Sequence, residues 1–410
     1  MAERYPIRPV TENEFDAFEA VTSHAFVLSP SLDARRAHEI ARLEFDRCLA
    51  AFDRPDPVGV TTAFSFQLTV PGGQVPAAGV SWVSVLPTYR RRGIMGALMR
   101  RQLNDISERG EPVAALLPTE SQLYGRYGYG MATRHAAYTI RRGEGALAPD
   151  APADPAVKLR LTAAQDVRPE IAKVYDIVRE TSPGFISRSG VWWDRVLRDA
   201  GGGYTPLSCL LAEDAAGPRG YALYAGDNRW TDEDSLHDCT LLVTEIVAAD
   251  PAAGAALWRD VLSRDLVTEV KVDRRPADDS LQFQLADPRR VRARVTDGLW
   301  VRLIDVPAAL AARQYACPVD TVIDVRDDLL PGNAGRWRLQ AGESGAACER
   351  TAAAADVSLS IRELSAAYLG GTRIGSMAAA GMVAEHRPGA LVRLSAAMSW
   401  DPAPWCPGTF

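Results

Sequence analysis

Val83-Ser84-Val85-Leu86-Pro87-Thr88-Tyr89-Arg90-Arg91-Arg92-Gly93-Ile94-Met95-Gly96-Ala97-Leu98 is the stretch whose reading decides the fold. Val83 and Val85 alternate as on a β-strand, the Arg/Gly run reads as a turn, and an amphipathic helix follows Gly93. The N–H groups exposed at such a helix N-terminus, with the dipole behind them, make a ready anion site. Gly93 and Gly96 let the main chain approach a bulky anion, and the arginines add point charge. The anion this arrangement suits is a pyrophosphate.

Outward from that stretch, the helix carries Met95, Met99, Leu103 and Ile106 on one face, with Ile94 and Leu98 widening it. Upstream, Thr11-x-x-Glu14 forms a capping box ahead of Phe15, Phe18 and Val21 at helical spacing. A longer helix is expected from Asp33 to near Phe52. Strands are expected over 58–70 and 75–86, joined at Pro71-Gly72-Gly73, then over 112–117 and 135–140. Residues 143–156 are mostly Ala, Pro, Gly and Asp and read as a linker. A second segment repeats a similar plan, with a strand over 241–248 and a helix after Asp250-Pro251, but without an Arg-x-x-Gly turn. A third segment, from about Thr296, mixes short helices and strands. It ends in Ser399-Trp400-Asp401-Pro402-Ala403-Pro404-Trp405-Cys406-Pro407-Gly408-Thr409-Phe410. Chain ends are normally polar and frayed. Two Trp, three Pro and a terminal Phe predict a tail docked at a specific place.

Composition narrows the function class. A chain of 410 residues exceeds one ordinary core, so two or three domains are expected. The hydrophobic and charged fractions, 47% and 24%, are those of a soluble globular protein. A net charge of −6 argues against a nucleic-acid partner, which needs a basic surface. No apolar run is long enough to span a bilayer and the N-terminus has no apolar signal region, so no membrane partner and a cytoplasmic location are expected. The six cysteines form no C-x-x-C pair, so free thiols and no metal site are expected. His237-Asp238-Cys239 imitates a catalytic cluster, but contiguous strand residues point to alternate faces and do not converge.

Val83-x-Val85 with Arg90-x-x-Gly93 resembles motif A of the GNAT acetyltransferase superfamily. Tyr124-Gly125-Arg126-Tyr127-Gly128-Tyr129-Gly130, a C-terminal aromatic and the three-part layout are similar to the Eis family over essentially the whole chain. The motif departs at Met95, with the glycine one place later at Gly96. The resemblance implies an α/β (α+β) chain of tandem GNAT-like domains, residues 1–146 and a degenerate 147–294. A sterol-carrier-like domain over 295–410 completes it. The family transfers acetyl from acetyl-CoA to amines, without a metal, as hexamers. Its acceptors are aminoglycosides, often at several positions, and lysine side chains; polyamines extend the same chemistry.

Carried over by position, the backbone of Val83, Ser84 and Val85 would bond the pantetheine and thioester. Arg91, Arg92, Gly93, Ile94, Met95 and Gly96 would hold the pyrophosphate, with Thr119 and Glu120 beside the donor. Trp82 would line the acceptor pocket, Tyr124 would be the general acid, and the terminal carboxylate of Phe410 the general base. An acceptor amine must lose a proton before attack, and a carboxylate raised by burial can take it. The leaving thiolate needs a proton or hydrogen bond, which a tyrosine, un-ionised at rest, can give. The alternative is a non-catalytic CoA sensor or lipid binder working through the third segment.

Overall fold

The computed structural model describes residues 4–28, 33–198, 204–231, 236–343 and 345–410. They divide into two compact units. One comprises Met1–Thr133, Leu299–Asp401 and Thr409–Phe410, the other Arg134–Gly298 and Pro402–Gly408.

The first unit is built on β1 (Ile7–Pro9), β2 (Leu49–Asp53), β3 (Asp56–Val70), β4 (Gly73–Val85), β5 (Val113–Leu116) and β6 (Gly130–Met131). The helices are α1 (Phe15–Phe26), α2 (Asp33–Arg42), α3 (Ile94–Glu108) and the single turn α4 (Ser121–Tyr124). Thr11 and Glu14 do form the capping box, through a 3₁₀ turn that leads into α1. The long hairpin of β3 and β4 turns at Gly72, whose φ of +69° only glycine adopts without strain. The helix expected from Asp33 stops at Arg42, and Leu49–Asp53 is a strand between β1 and β3. Four consecutive buried residues there, Leu49, Ala50, Ala51 and Phe52, fit a doubly covered strand as well as a helix. The pairing partners decide it.

The second unit holds β7 (Arg134–Arg141), β8 (Lys158–Ala163), β9 (Ser208–Asp214), β10 (Gly217–Thr231), β11 (Leu236–Ala248), β12 (Glu269–Pro276) and β13 (Arg294–Asp297). They form one sheet in the order β13-β7-β12-β11-β10-β9-β8, parallel only between β11 and β12. Its helices are α5 (Arg168–Arg179), α6 (Gly190–Val196), α7 (Pro251–Leu262) and the turn α8 (Leu281–Gln284). The β7 strand, which the sequence groups with the first segment, thus completes the second sheet. Residues 143–156 are not a free tether either. Ala148 N–H donates to Gln284 O at 2.7 Å, Ala286 N–H to Ala146 O at 2.9 Å, and Leu147 packs on the core. The tail docks as expected: the Trp405 ring sits edge-on to Phe185 at 5.1 Å, and its main-chain N–H donates to Pro183 O at 3.0 Å.

The chain then returns to the first unit. Strand β14 (Trp300–Leu303) inserts antiparallel between β5 and β6, so the first sheet runs β1-β2-β3-β4-β5-β14-β6. A third sheet follows from β15 (Val319–Arg326), β16 (Gly335–Gly342), β17 (Gly345–Arg350), β18 (Val357–Ser360) and β19 (Ala384–Glu385), in the order β17-β16-β15-β18-β19. Helices α9 (Val306–Ala311), α10 (Ile361–Ala367), α11 (Ile374–Ala379) and α12 (Ala390–Met398) accompany it. Met99, Leu103 and Ile106 of α3 share one core with Tyr129, Trp300, Ile304 and Leu330. Each such fully buried side chain is worth about 1.5–3 kcal/mol over an exposed one, which fixes α3 and hence its N-terminus.

Candidate active site

A β-bulge sets the geometry. The register pairs Val60 with Ser84 and Thr62 with Ser81, so Thr61 alone faces Trp82 and Val83. Trp82 takes φ +54°, unusual for a bulky residue, and its ring is held by Phe18 at 5.7 Å and Phe15 at 6.3 Å. The β4–β5 ladder covers only Ala77 to Gly79 against Val113 to Ala115. Beyond Gly79 the two strands part, leaving the backbone of Val83, Ser84 and Val85 unpaired on that side.

At the opening stands the N-terminus of α3. Arg91 at φ +62° and Gly93 at φ +81° curl the chain, and Ala97 N–H donates to Gly93 O at 3.0 Å. The preceding N–H groups of the first turn have no partner one turn back. No side chain caps this end and its first turn holds no acidic residue. A cavity of about 620 Å³ opens here. It is lined by Val83, Ser84, Val85, Arg91, Gly93, Ile94, Met95, Gly96, Thr119, Glu120 and Tyr124, all of which the sequence singled out. Arg90, Arg100 and Arg126 join Arg91 on its wall, against the one lining carboxylate of Glu120. Glycine at 93, a curled N–H array and four guanidinium groups fit the pyrophosphate of a coenzyme A thioester.

Tyr124 ends α4 and packs edge-on to Tyr129 at 6.1 Å. Burial, with Glu120 and Tyr127 adding to it, pushes the Tyr124 phenol up to about 12. It therefore stays protonated across the working range. Three of the expected residues lie off this lining. Arg92 turns its guanidinium to Tyr5 Oη at 3.2 Å and Thr88 O at 2.9 Å, and lines a neighbouring cavity of about 370 Å³. Trp82 rests on α1. Phe410 packs on Phe66 at 5.3 Å, and its main-chain oxygen accepts from Ser81 Oγ at 3.0 Å. A Cβ at Gly79 would lie 2.3 Å from Phe66 and 3.1 Å from Phe410, so glycine there seats the chain end where β4 leaves β5.

Sequence reasoning missed the outer wall. Ala25 and Phe26, the last turn of α1, line the cavity, as do Tyr89, Arg100, Leu123 and Tyr127. Arg100 lies one helical turn beyond Gly96, a spacing that could have revealed it; no local signal marks Ala25 and Phe26.

The corresponding end of the second unit shows the opposite chemistry. Asp250 caps α7, accepting from Ala252 and Ala253 N–H at 3.0 Å each, and pairs with Arg219 at 2.8 Å. Pro251 removes a further N–H. That helix end is occupied by the chain's own carboxylate.

Models of the GNAT acetyltransferase domain match residues 6–132 and again 184–303, and a sterol carrier protein domain matches 306–407. An uncharacterized N-acetyltransferase of Streptomyces coelicolor is 41% identical over 98% of this chain and 99% of its own. N-acetyltransferase Eis of Mycobacterium tuberculosis is 36% identical over 84% of this chain and 83% of its own. The chain belongs to the Eis family of N-acetyltransferases. Eis1 of Mycobacterium abscessus, solved as a crystal structure, superposes with a TM-score of 0.84 at 34% identity, over 98% of this chain and 100% of its own. The fold is thus two GNAT domains followed by a sterol-carrier-like domain, as the motif resemblance implied. The protein is an acetyltransferase, and acetyl-CoA is the donor that GNAT acetyltransferases use.

None of the six cysteines lines this cavity. All six cysteines are free. Burial pushes the thiols of Cys48, Cys209 and Cys348 up to about 12, which makes them inert. Among the described residues no His/Cys/Asp/Glu group could hold a metal, and no helix is long and apolar enough to cross a membrane. Asp238 accepts from Thr268 Oγ1 at 2.5 Å, beside a half-buried Cys239; the His237 side chain lies outside the described residues.

Proposed function

We propose that this protein transfers acetyl from acetyl-CoA directly to a primary amine of a polycationic acceptor, an aminoglycoside or a lysine side chain. Tyr124 acts as general acid and the terminal carboxylate of Phe410 as general base. The observation that carries the reading is the single cavity uniting the α3 N-terminus, the unpaired backbone of Val83, Ser84 and Val85, and Tyr124. Acetyl-CoA supplies an activated thioester. The arginines and first-turn N–H groups of α3 hold its diphosphate, and a backbone N–H beyond the bulge polarises the thioester carbonyl. Tyr124, protonated by virtue of its burial, gives the departing sulfur its proton. The Phe410 carboxylate, anchored by Ser81, draws in the cationic amine and accepts its proton, directly or through a water.

The polycationic acceptor class and a homohexameric assembly rest on the family resemblance. Incubating the protein with acetyl-CoA and a panel of aminoglycosides, polyamines and lysine peptides, followed by mass spectrometry, tests the acceptor. Acetylated aminoglycoside or peptide supports the proposal; acetylation confined to unrelated amines overturns it. Light scattering in solution checks the hexamer.

A further inference from the structure

Why is the segment that carries Tyr124 so rich in glycine, and what holds it? Gly128 has φ +81°, and a Cβ there would lie 2.6 Å from Arg302 Nε and 2.8 Å from Ile361. At Gly130 a Cβ would lie 2.2 Å from Arg362 O and 2.5 Å from Ala366 N; at Gly125, 3.3 Å from Arg362 Nε. The glycines let the segment lie directly against α10 and the Arg302 side chain.

Arg302 is a charged residue with no exposure at all, on β14 between β5 and β6. Every arm of its guanidinium is spoken for. Nε donates to Tyr127 O at 2.9 Å, Nη1 to Leu303 O at 2.7 Å, and Nη2 to Asp327 Oδ1 and Oδ2 at 2.8 and 2.7 Å. Asp327 is in turn held by Asn333 Nδ2 at 3.1 Å and by Leu329 and Leu330 N–H at 3.1 Å each. Tyr127 lies three residues past Tyr124, within the same 3₁₀ turn that begins where α4 ends. Tyr129 N–H also returns to Tyr124 O at 3.3 Å.

A buried ion pair is a poor way to gain stability, because desolvation offsets its attraction. It is a good way to fix one backbone geometry, because a planar fork satisfied on every side tolerates little displacement. We infer that Arg302, held by Asp327 of the sterol-carrier-like domain, is a positioning residue for acetyl transfer: it fixes, through the Tyr127 carbonyl, the turn that aims Tyr124. On this view the third domain is part of the catalytic machinery, and its contribution does not require a bound lipid. The inference rests on the general-acid role proposed for Tyr124.

The test is a double-mutant cycle in the full-length protein, read as kcat, acetyl-CoA affinity and melting temperature. Lysine at 302 keeps the charge facing Asp327 but cannot also reach Tyr127 O. Arg302→Lys is expected to lower kcat by about tenfold or more, as small misplacements of reacting groups do. Acetyl-CoA affinity should stay within about twofold, separating positioning from loss of binding. In a Tyr124→Phe background the same change should cost nothing further, since the group it positions is gone. Should the lysine variant not fold, Asp327→Asn replaces it in the cycle with the same expectation and a smaller loss. Undiminished kcat in the folded variant, or losses that multiply in the double variant, would overturn the inference while leaving Tyr124 as the acid. Full turnover by Tyr124→Phe alone would remove the general acid, and the inference with it.

Discussion

At the scale of single residues, the account depends on Tyr124 and Gly93. Tyr124→Phe removes one oxygen from a ring already packed on Tyr129. Acetyl-CoA affinity should be unchanged by calorimetry while kcat falls by about 10²–10⁴, the usual worth of a general acid. The pH profile checks the same residue independently. An acid works only while it holds its proton, so raising its pKa moves its alkaline limb upward. With the phenol pushed up to about 12, turnover should show no loss from this group through pH 10. A decline centred near 10, the ordinary tyrosine value, would mean an exposed phenol. Gly93 tests the donor site. With φ at +81°, an alanine there costs about 1–2 kcal/mol in left-handed strain and disturbs the curl of N–H groups. Gly93→Ala should therefore weaken acetyl-CoA binding, measured by titration, more than it changes kcat at saturation.

At the scale of elements, two strand-to-helix turns of one fold have diverged chemically. The N-terminus of α3 is left open, whereas that of α7 is closed by Asp250. Asp250→Ala should destabilise the protein by about 1 kcal/mol, the usual loss of a helix cap, in thermal or urea unfolding, and leave acetyl-CoA binding untouched. Much at this scale was legible in the chain. The apolar spacing from Ile94 to Ile106 predicts α3, Pro71-Gly72-Gly73 the hairpin, and Asp250-Pro251 the start of α7, because each is specified by near neighbours. What was not legible depends on distant partners. Leu49 to Phe52 is a strand because β1 and β3 flank it, and β7 joins the second sheet because β12 and β13 receive it. Nothing beside Arg302 in the sequence marks its burial, because its partner Asp327 lies 25 residues on. Arg92 sits in the turn as expected, but its side chain finds Tyr5 rather than the main cavity. A motif fixes a backbone position; the tertiary neighbours choose the rotamer.

At the scale of the whole molecule, the first unit combines the cavity-bearing N-terminal segment with late parts of the chain. Strand β14, Asp327 and Phe410 all come from beyond residue 298 and belong to the same unit as the cavity. If the terminal carboxylate is the base, a short Gly-Ser extension after Phe410 should lower kcat by about 10²-fold or more with little effect on acetyl-CoA affinity. The same extension should leave the melting temperature near that of the parent. A tagged protein with full turnover would take Phe410 out of the mechanism. The most direct test of the central claim is the release of CoA thiol from acetyl-CoA in the presence of a polycationic amine, parent and Tyr124→Phe proteins side by side. The account predicts acceptor-dependent release by the parent and its near loss in the variant, with both binding acetyl-CoA equally. Equal release by the two, or none from a parent protein that binds acetyl-CoA across the whole acceptor panel, would contradict it.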